Sequence, residues 1–228
     1  MIAEEDISSL NDREISSSIE RGKSISLILL AFKKTTPHFK KIVNEQNNIS
    51  NSLNENNLTQ FFVEQTDVQL RKMGIDSFSV KNQYSDFFHK TKGIPDFYFH
   101  YLEEGEISLP IFIVEAKRLP APEKRNQKEY TKGIKNNGGI ERFKIGKHGK
   151  GQTECGIIGF IETESFQFWK KEVNTWIQEL ALSDNSWSKK EVLKEIETKL
   201  EFAYLTSIAQ RNKSNDSLLL HHFWINCL

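Results

Sequence analysis

Cysteine is nearly absent: Cys155 and Cys227 are the two in 228 residues. They form no CxxC pair and no zinc-ligand spacing, which excludes a disulfide scaffold and a cysteine-based metal centre. A reducing cytoplasm is the expected compartment. No long apolar run exists either. The longest, "ISLILLAF" at 25–32, is too short and too interrupted to span a bilayer, so no membrane role is expected. The acidic opening "MIAEEDISSL" has neither the basic nor the apolar region of a secretory leader. An excess of charge of one sign is also lacking. Thirty-one Lys and Arg balance 31 Asp and Glu, which argues against a simple polyanion binder. Walker, G-x-S-x-G and Cys–His nucleophile patterns are missing, and so is any internal repeat.

What is present is unevenly distributed. Residues 1–20 hold six acids against Arg13 alone. Residues 117–150 hold eleven Lys and Arg against Glu123, Glu129 and Glu141. Such a basic block is either a solvated face or a surface that follows phosphates. At 37% hydrophobic and 27% charged residues, the chain is long enough for one sizeable α/β domain. An N-terminal helical region over 1–50 is expected to pack on a core spanning 51–228.

The hydrophobic pattern predicts two helices within 14–46, the second starting at Pro37. A helix carrying Leu58, Phe61, Phe62 and Leu70 on one face follows, stopped by Gly74. "DSFSVKNQY" at 76–84 alternates as a strand does. Residues 94–102 and 108–119 read as a hairpin with a charged turn. "CGIIGFI" at 155–161 reads as a buried central strand. The stretch "ESFQFWKKEVNTWIQELAL" gives an amphipathic helix, with Trp169 and Trp176 in the core or in a dimer seam. "SKKEVLKEIETKL" reads as a further helix capped by Ser188. Two last strands flank "NKSNDS". The sum is a mixed sheet with helices on its faces.

The hairpin carries the chemistry. Glu115 and Lys117 lie two apart and leave one face of a strand, while Asp96 lies at the same end of the neighbouring strand. Burying two acids and a lysine together is costly unless they serve a purpose. A hard divalent cation between the carboxylates would offset that cost. Lys117 would orient or deprotonate a water, or stabilise a phosphorane-like transition state. The plain alternative is a structural ion cluster.

"PD" at Pro95–Asp96, followed nineteen residues after the aspartate by "EAK" at Glu115–Lys117, resembles the PD-(D/E)xK nuclease superfamily. The preceding helix with "NENNLTQFF" is similar too. The resemblance covers roughly residues 50–165 and implies a restriction-endonuclease-like mixed β-sheet flanked by helices. It implies a Mg²⁺-dependent endonuclease, with Mn²⁺ able to substitute, acting on DNA, with RNA left open. It also implies that the Ala116 carbonyl binds metal and that the first core helix gives a further acid, Glu55 or, second, Glu64. Lys132, Arg142 and Lys147 become candidates for phosphate contacts, against a reading as solvated lysines and core neighbours. A restriction or anti-phage defence effector held in check by a partner is the implied role. A repair or recombination nuclease and a non-cutting regulatory subunit stay as alternatives, as do a homodimer and a partner that supplies specificity. The histidines show no metal spacing, and His221 and His222 read as structural, one facing in and one out.

Overall fold

The structure is a computed structural model that describes residues 5–47, 53–86, 88–102, 105, 109–212, 214 and 216–228, apart from the side chains of 5–19 and 47. The turn joining the predicted hairpin falls largely outside the described residues.

Seven strands form one mixed sheet in the order β1-β2-β3-β4-β7-β6-β5. They are β1 (Phe78–Asn82), β2 (Phe97–Tyr101), β3 (Phe112–Leu119), β4 (Glu154–Ile161), β5 (Lys194–Thr198), β6 (Phe202–Gln210) and β7 (Ser217–Asn226). β3, β4 and β7 run parallel in the middle, and antiparallel pairs complete both flanks. The helices are α1 (Glu5–Asn47), α2 (Glu55–Lys72), α3 (Gly139–Lys144) and α4 (Phe166–Ser183). Among the described residues no helix is long and apolar enough to cross a membrane.

The sheet buries both faces. On one, α1 and α2 meet Phe97, Phe99, Phe112, Ile158, Phe160 and Phe223. Phe32 of α1 lies 5.2 Å from the Phe62 ring and 5.5 Å from Phe223, in the tilted geometry aromatic pairs favour. On the other face Ile157, Leu220 and Trp224 pack with Trp169, Val173, Trp176 and Ile177 of α4. Both tryptophans are therefore core. The central strands read as continuous apolar runs because neither face is wet.

Three expectations need correction, the last of them the outward-facing member of the His221–His222 pair. Residues 14–46 form one helix, with Pro37 inside α1. An interior proline costs about 3 kcal/mol. The apolar stripe nevertheless continues in register past it, and Phe39 and Val43 are buried beyond the proline. Each such side chain contributes about 1.5–3 kcal/mol, so the straight path wins. The segment from Ser188 is a short 3₁₀ turn at Lys189–Glu191 followed by strand β5. Ser188 does cap it, accepting from Lys190 N. The Glu191 carboxylate is drawn inward to Lys144 Nζ at 2.6 Å and Gln210 N at 3.0 Å, while Asn174 clamps the Leu193 backbone. Those tertiary bonds unwind a segment whose local pattern favours helix.

His221 and His222 are both buried. His222 joins Tyr130 and Ser207, and His221 joins Tyr204 and Glu154, so both face inward, on opposite sides of the sheet. Gly159 sits opposite Trp224, and a Cβ there would lie 2.4 Å from Trp224 Cδ1. Gly159→Ala must displace the indole whose Nε1 donates to Tyr130 Oη. We expect a loss of about 1–3 kcal/mol, measured by denaturant unfolding. An unchanged midpoint would mean that the indole can shift freely.

Candidate active site

The β2–β3 register fixes the site. Phe97 pairs with Val114, so the next rung outward sets Asp96 against Glu115. Pro95 has no N–H, and its carbonyl already accepts from Tyr84 N. The rung is completed by a side chain instead: the Ala116 N–H donates to Asp96 Oδ2 at 2.7 Å. Period-2 geometry puts Glu115 and Lys117 on the face of Asp96. Glu115 is fully buried and Lys117 is 4% exposed.

Lys117 Nζ is the hub. It lies 3.0 Å from Glu115 Oε1 and 3.1 Å from Glu55 Oε1, and it donates to the Ala116 carbonyl at 2.7 Å. Glu55 is the first residue of α2, behind an Asn54 N-cap that forms a reciprocal box with Asn57. That cap aims the helix start at the site, and an acid suits the positive helix end. Glu64 lies over two turns further along α2, exposed and bonded to Gln60, so Glu55 is the helix acid the fold brings to Lys117.

Arg142 of α3 pairs with Glu115 Oε1. His148 Nδ1 lies 2.9 Å from Glu115 Oε2 but off the angle for a hydrogen bond. Glu115 Oε2, His148 Nδ1 and Arg142 Nε are consequently buried polar atoms without a hydrogen-bond partner. Glu115 Oε2 and His148 Nδ1 face each other at ion-pair distance, which offsets part of the cost of burying them unbonded. Gly139 lets α3 approach: a Cβ there would lie 2.9 Å from Tyr130 O and 3.3 Å from Lys117 Cγ.

The charges split the two acids. Burial and then the Glu115 charge push Asp96 up to about 7, against smaller opposing effects of Lys117 and the Ala116 N–H. Asp96 keeps a narrow window to solvent although protein atoms crowd its carboxyl. Burial also opposes ionisation of Glu115, yet Lys117, His148 and Arg142 together outweigh it and hold Glu115 down at about 2. Burial would lower Lys117, but Glu115, Glu55 and Asp96 overcome it and keep the ammonium charged. One carboxyl is thus firmly ionised while its neighbour is poised near neutrality, the divergence expected of acid–base sites.

The other candidates are dispersed. Lys132 pairs with Asp184 at 2.6 Å, at the end of α4, and this bond above all holds Asp184 low. Lys147 lines a large cleft beside the site. Two neighbours of Glu115 were not read from the sequence in that role: Arg142, expected on phosphate, and His148, set aside for lack of metal spacing. Their one local signal is "NNGGIERFKIGKHG", whose glycines permit close backbone approach.

Glu115, Asp96 and the Ala116 carbonyl offer oxygen donors of the kind a hard cation takes. Among the described residues no group of three or more His, Cys, Asp or Glu is gathered as a metal-ligand set. Compared with protein-family models, curated proteins and solved structures, the chain matches none.

Proposed function

We propose that the protein is a metal-dependent nuclease with a restriction-endonuclease-like core, hydrolysing phosphodiester bonds in DNA. The observation that carries this reading is the convergence of Asp96, Glu115, Lys117 and Glu55 at one end of β2, β3 and α2. A restriction or anti-phage defence role, with a partner that supplies specificity or control, rests on the resemblance alone.

The donor set suits Mg²⁺, which keeps several waters and needs only one or two carboxylates. Glu115 Oε2 is buried and its one close neighbour is His148 Nδ1 at 2.9 Å, so a cation there would compete with the imidazole. Asp96, Glu115 and the Ala116 carbonyl would hold the ion, and Mn²⁺ would substitute. When bound, it would lower the pKa of a water and neutralise charge on a phosphoryl oxygen. Asp96 would hold the ion in its ionised form. Lys117, released from the Ala116 carbonyl once that oxygen held the ion, would present its ammonium to the attacking water or the developing phosphorane charge. Glu55 keeps that ammonium charged and pointed into the site. Arg142 either stays on Glu115 or turns to the scissile phosphate, for which a guanidinium fork is suited.

One observation favours a non-cutting, regulatory relative. Glu115 Oε1 is already met by both Lys117 and Arg142, a closed ion cluster that is complete without metal.

Titration calorimetry separates the two readings. Mn²⁺ should bind the wild type, and Asp96→Asn should weaken it at least tenfold by removing a charged hard ligand. Equal affinity would take Asp96 out of the site. No binding to either protein, together with no cleavage of linear, circular or branched DNA or of RNA, would favour the regulatory reading.

A further inference from the structure

The cations of the basic block divide into two groups. Lys117, Arg118, Arg125, Lys128, Lys132, Arg142 and Lys144 each have an acid partner. Lys135, Lys147 and Lys150 make no ion pair among the described residues, and neither do Lys90 and Lys92 from the distant 88–92 loop. All five of these unpaired lysines line one cleft of about 780 Å³, and among the described residues Asp216 is the one acid that lines it. Like charges gathered without counter-charges repel, and they lower the stability of the fold that gathers them. An anion in the cleft removes that cost.

The walls are preformed. Arg211 spends its guanidinium on the carbonyls of Phe143, Gly149 and Gln152, at 3.1, 2.6 and 2.8 Å. Asn212 N donates to Lys144 O. These bonds staple the 143–152 loop that carries Lys147 and Lys150. On the opposite wall Asp86 Oδ1 accepts from His89 N at 2.9 Å and fixes the loop that bears Lys90 and Lys92. The cleft also abuts the acidic site. Lys147 lines it, and the next residue, His148, reaches Glu115. Gly93 fits against the Lys147 carbonyl and the His148 ring, where a Cβ would lie 2.3 and 2.4 Å away.

Size and lining narrow the ligand. A cleft of this volume lies in the range of small-molecule pockets, about 300–1,000 Å³, which accommodates a few linked nucleotides, whereas a duplex would have to lie across its mouth. Among the described residues His89 is the one aromatic ring in the lining, against six lysines and Arg211, so the grip falls mainly on phosphates. We infer that the cleft lined by residues 89–92, 135–136, 144–147, 150–153, 211, 214 and 216–217 binds single-stranded nucleic acid through its phosphates and leads the strand to Asp96, Glu115 and Lys117. The last clause rests on the nuclease reading, and the binding itself does not.

Binding is measured by fluorescence anisotropy in EDTA, which removes cleavage from the result. The probes are labelled dT₁₂, labelled U₁₂ and a blunt twelve-base-pair duplex of mixed sequence. One or both single strands should bind at least tenfold more tightly than the duplex, and the better of the two identifies the chemistry of the strand. The triple variant Lys90→Gln, Lys147→Gln and Lys150→Gln should lower the salt slope by about 2, at about 0.7 per single-strand contact. The matched Lys→Arg triple should keep the slope, which separates lost charge from lost fold. Equal or tighter duplex binding, an unchanged slope in the Gln triple, or full displacement of the strand by sodium triphosphate at equal phosphate concentration would each overturn the inference. A wild type that binds the strand but never cuts defeats the nuclease reading alone. One that cuts while the Gln triple binds normally defeats the cleft alone.

Discussion

Lys117→Ala is expected to cut DNA about 10²–10³ times more slowly than the wild type at saturating Mg²⁺, the usual loss for one preorganised transition-state contact. The ammonium is not among the proposed oxygen donors, so Mn²⁺ affinity should stay within a few-fold. Stability should fall as well. Lys117 is buried between Glu115 and Glu55, and removing one partner of a buried pair costs about 3–5 kcal/mol. Arg142 still meets Glu115, which should reduce the loss to about 2–3 kcal/mol. Lys117→Met restores most of the packing and should recover stability but not activity, so single-turnover cleavage and thermal unfolding together separate chemistry from folding. Wild-type cleavage by a folded Lys117→Ala protein would place the active site elsewhere.

The site was legible where period-2 geometry governs it. Asp96, Glu115 and Lys117 follow from a strand pair, and the register requires only that Phe97 meet Val114. Glu55 was reached only through the family resemblance, with Glu64 beside it, and what separates the two is the Asn54–Asn57 box that starts the helix at Glu55. Arg142 and His148 were not. They reach Glu115 from a loop and a six-residue helix, whose path depends on Gly93, Gly138 and Gly139 tolerating contacts that no local pattern encodes. In the fold, Pro37 and the 188–200 segment misled for one shared reason. Each has a strong local preference, and each is overruled by distant partners: the Phe32–Phe39 stripe in the first case and the Glu191–Lys144 bond in the second.

Asp96→Asn should stabilise the metal-free protein at pH 8 and leave it nearly unchanged at pH 4. The Asp96 carboxyl has an ordinary value of 3.8 and a folded value of about 7. Between those limits the folded protein holds a proton that the unfolded chain has released. Folding takes up that proton, so this group makes stability fall as the pH rises from about 4 to about 7. A rise of this size corresponds to about 4 kcal/mol at most, and the partial exposure of Asp96 reduces it to about 2–3 kcal/mol. Asparagine cannot ionise, and its side-chain oxygen can still accept from Ala116 N, so the slope should vanish without loss of the rung. Glu115 acts in another window with the opposite sign. Its contribution is complete above 4.5 and is lost as the pH falls through about 2, so it does not mask the effect. Added Mg²⁺ should reverse the order of the two proteins at pH 8. A ligand at a hundred times its Kd stabilises by about 2.7 kcal/mol, and only the wild type keeps both carboxylates. Urea unfolding at pH 4, 6 and 8, with EDTA and with Mg²⁺, gives all the terms. Parallel pH profiles for the two proteins in EDTA would show that Asp96 ionises normally and is not buried against Glu115. A Mg²⁺ response equal in both would show that the ion does not bind at Asp96.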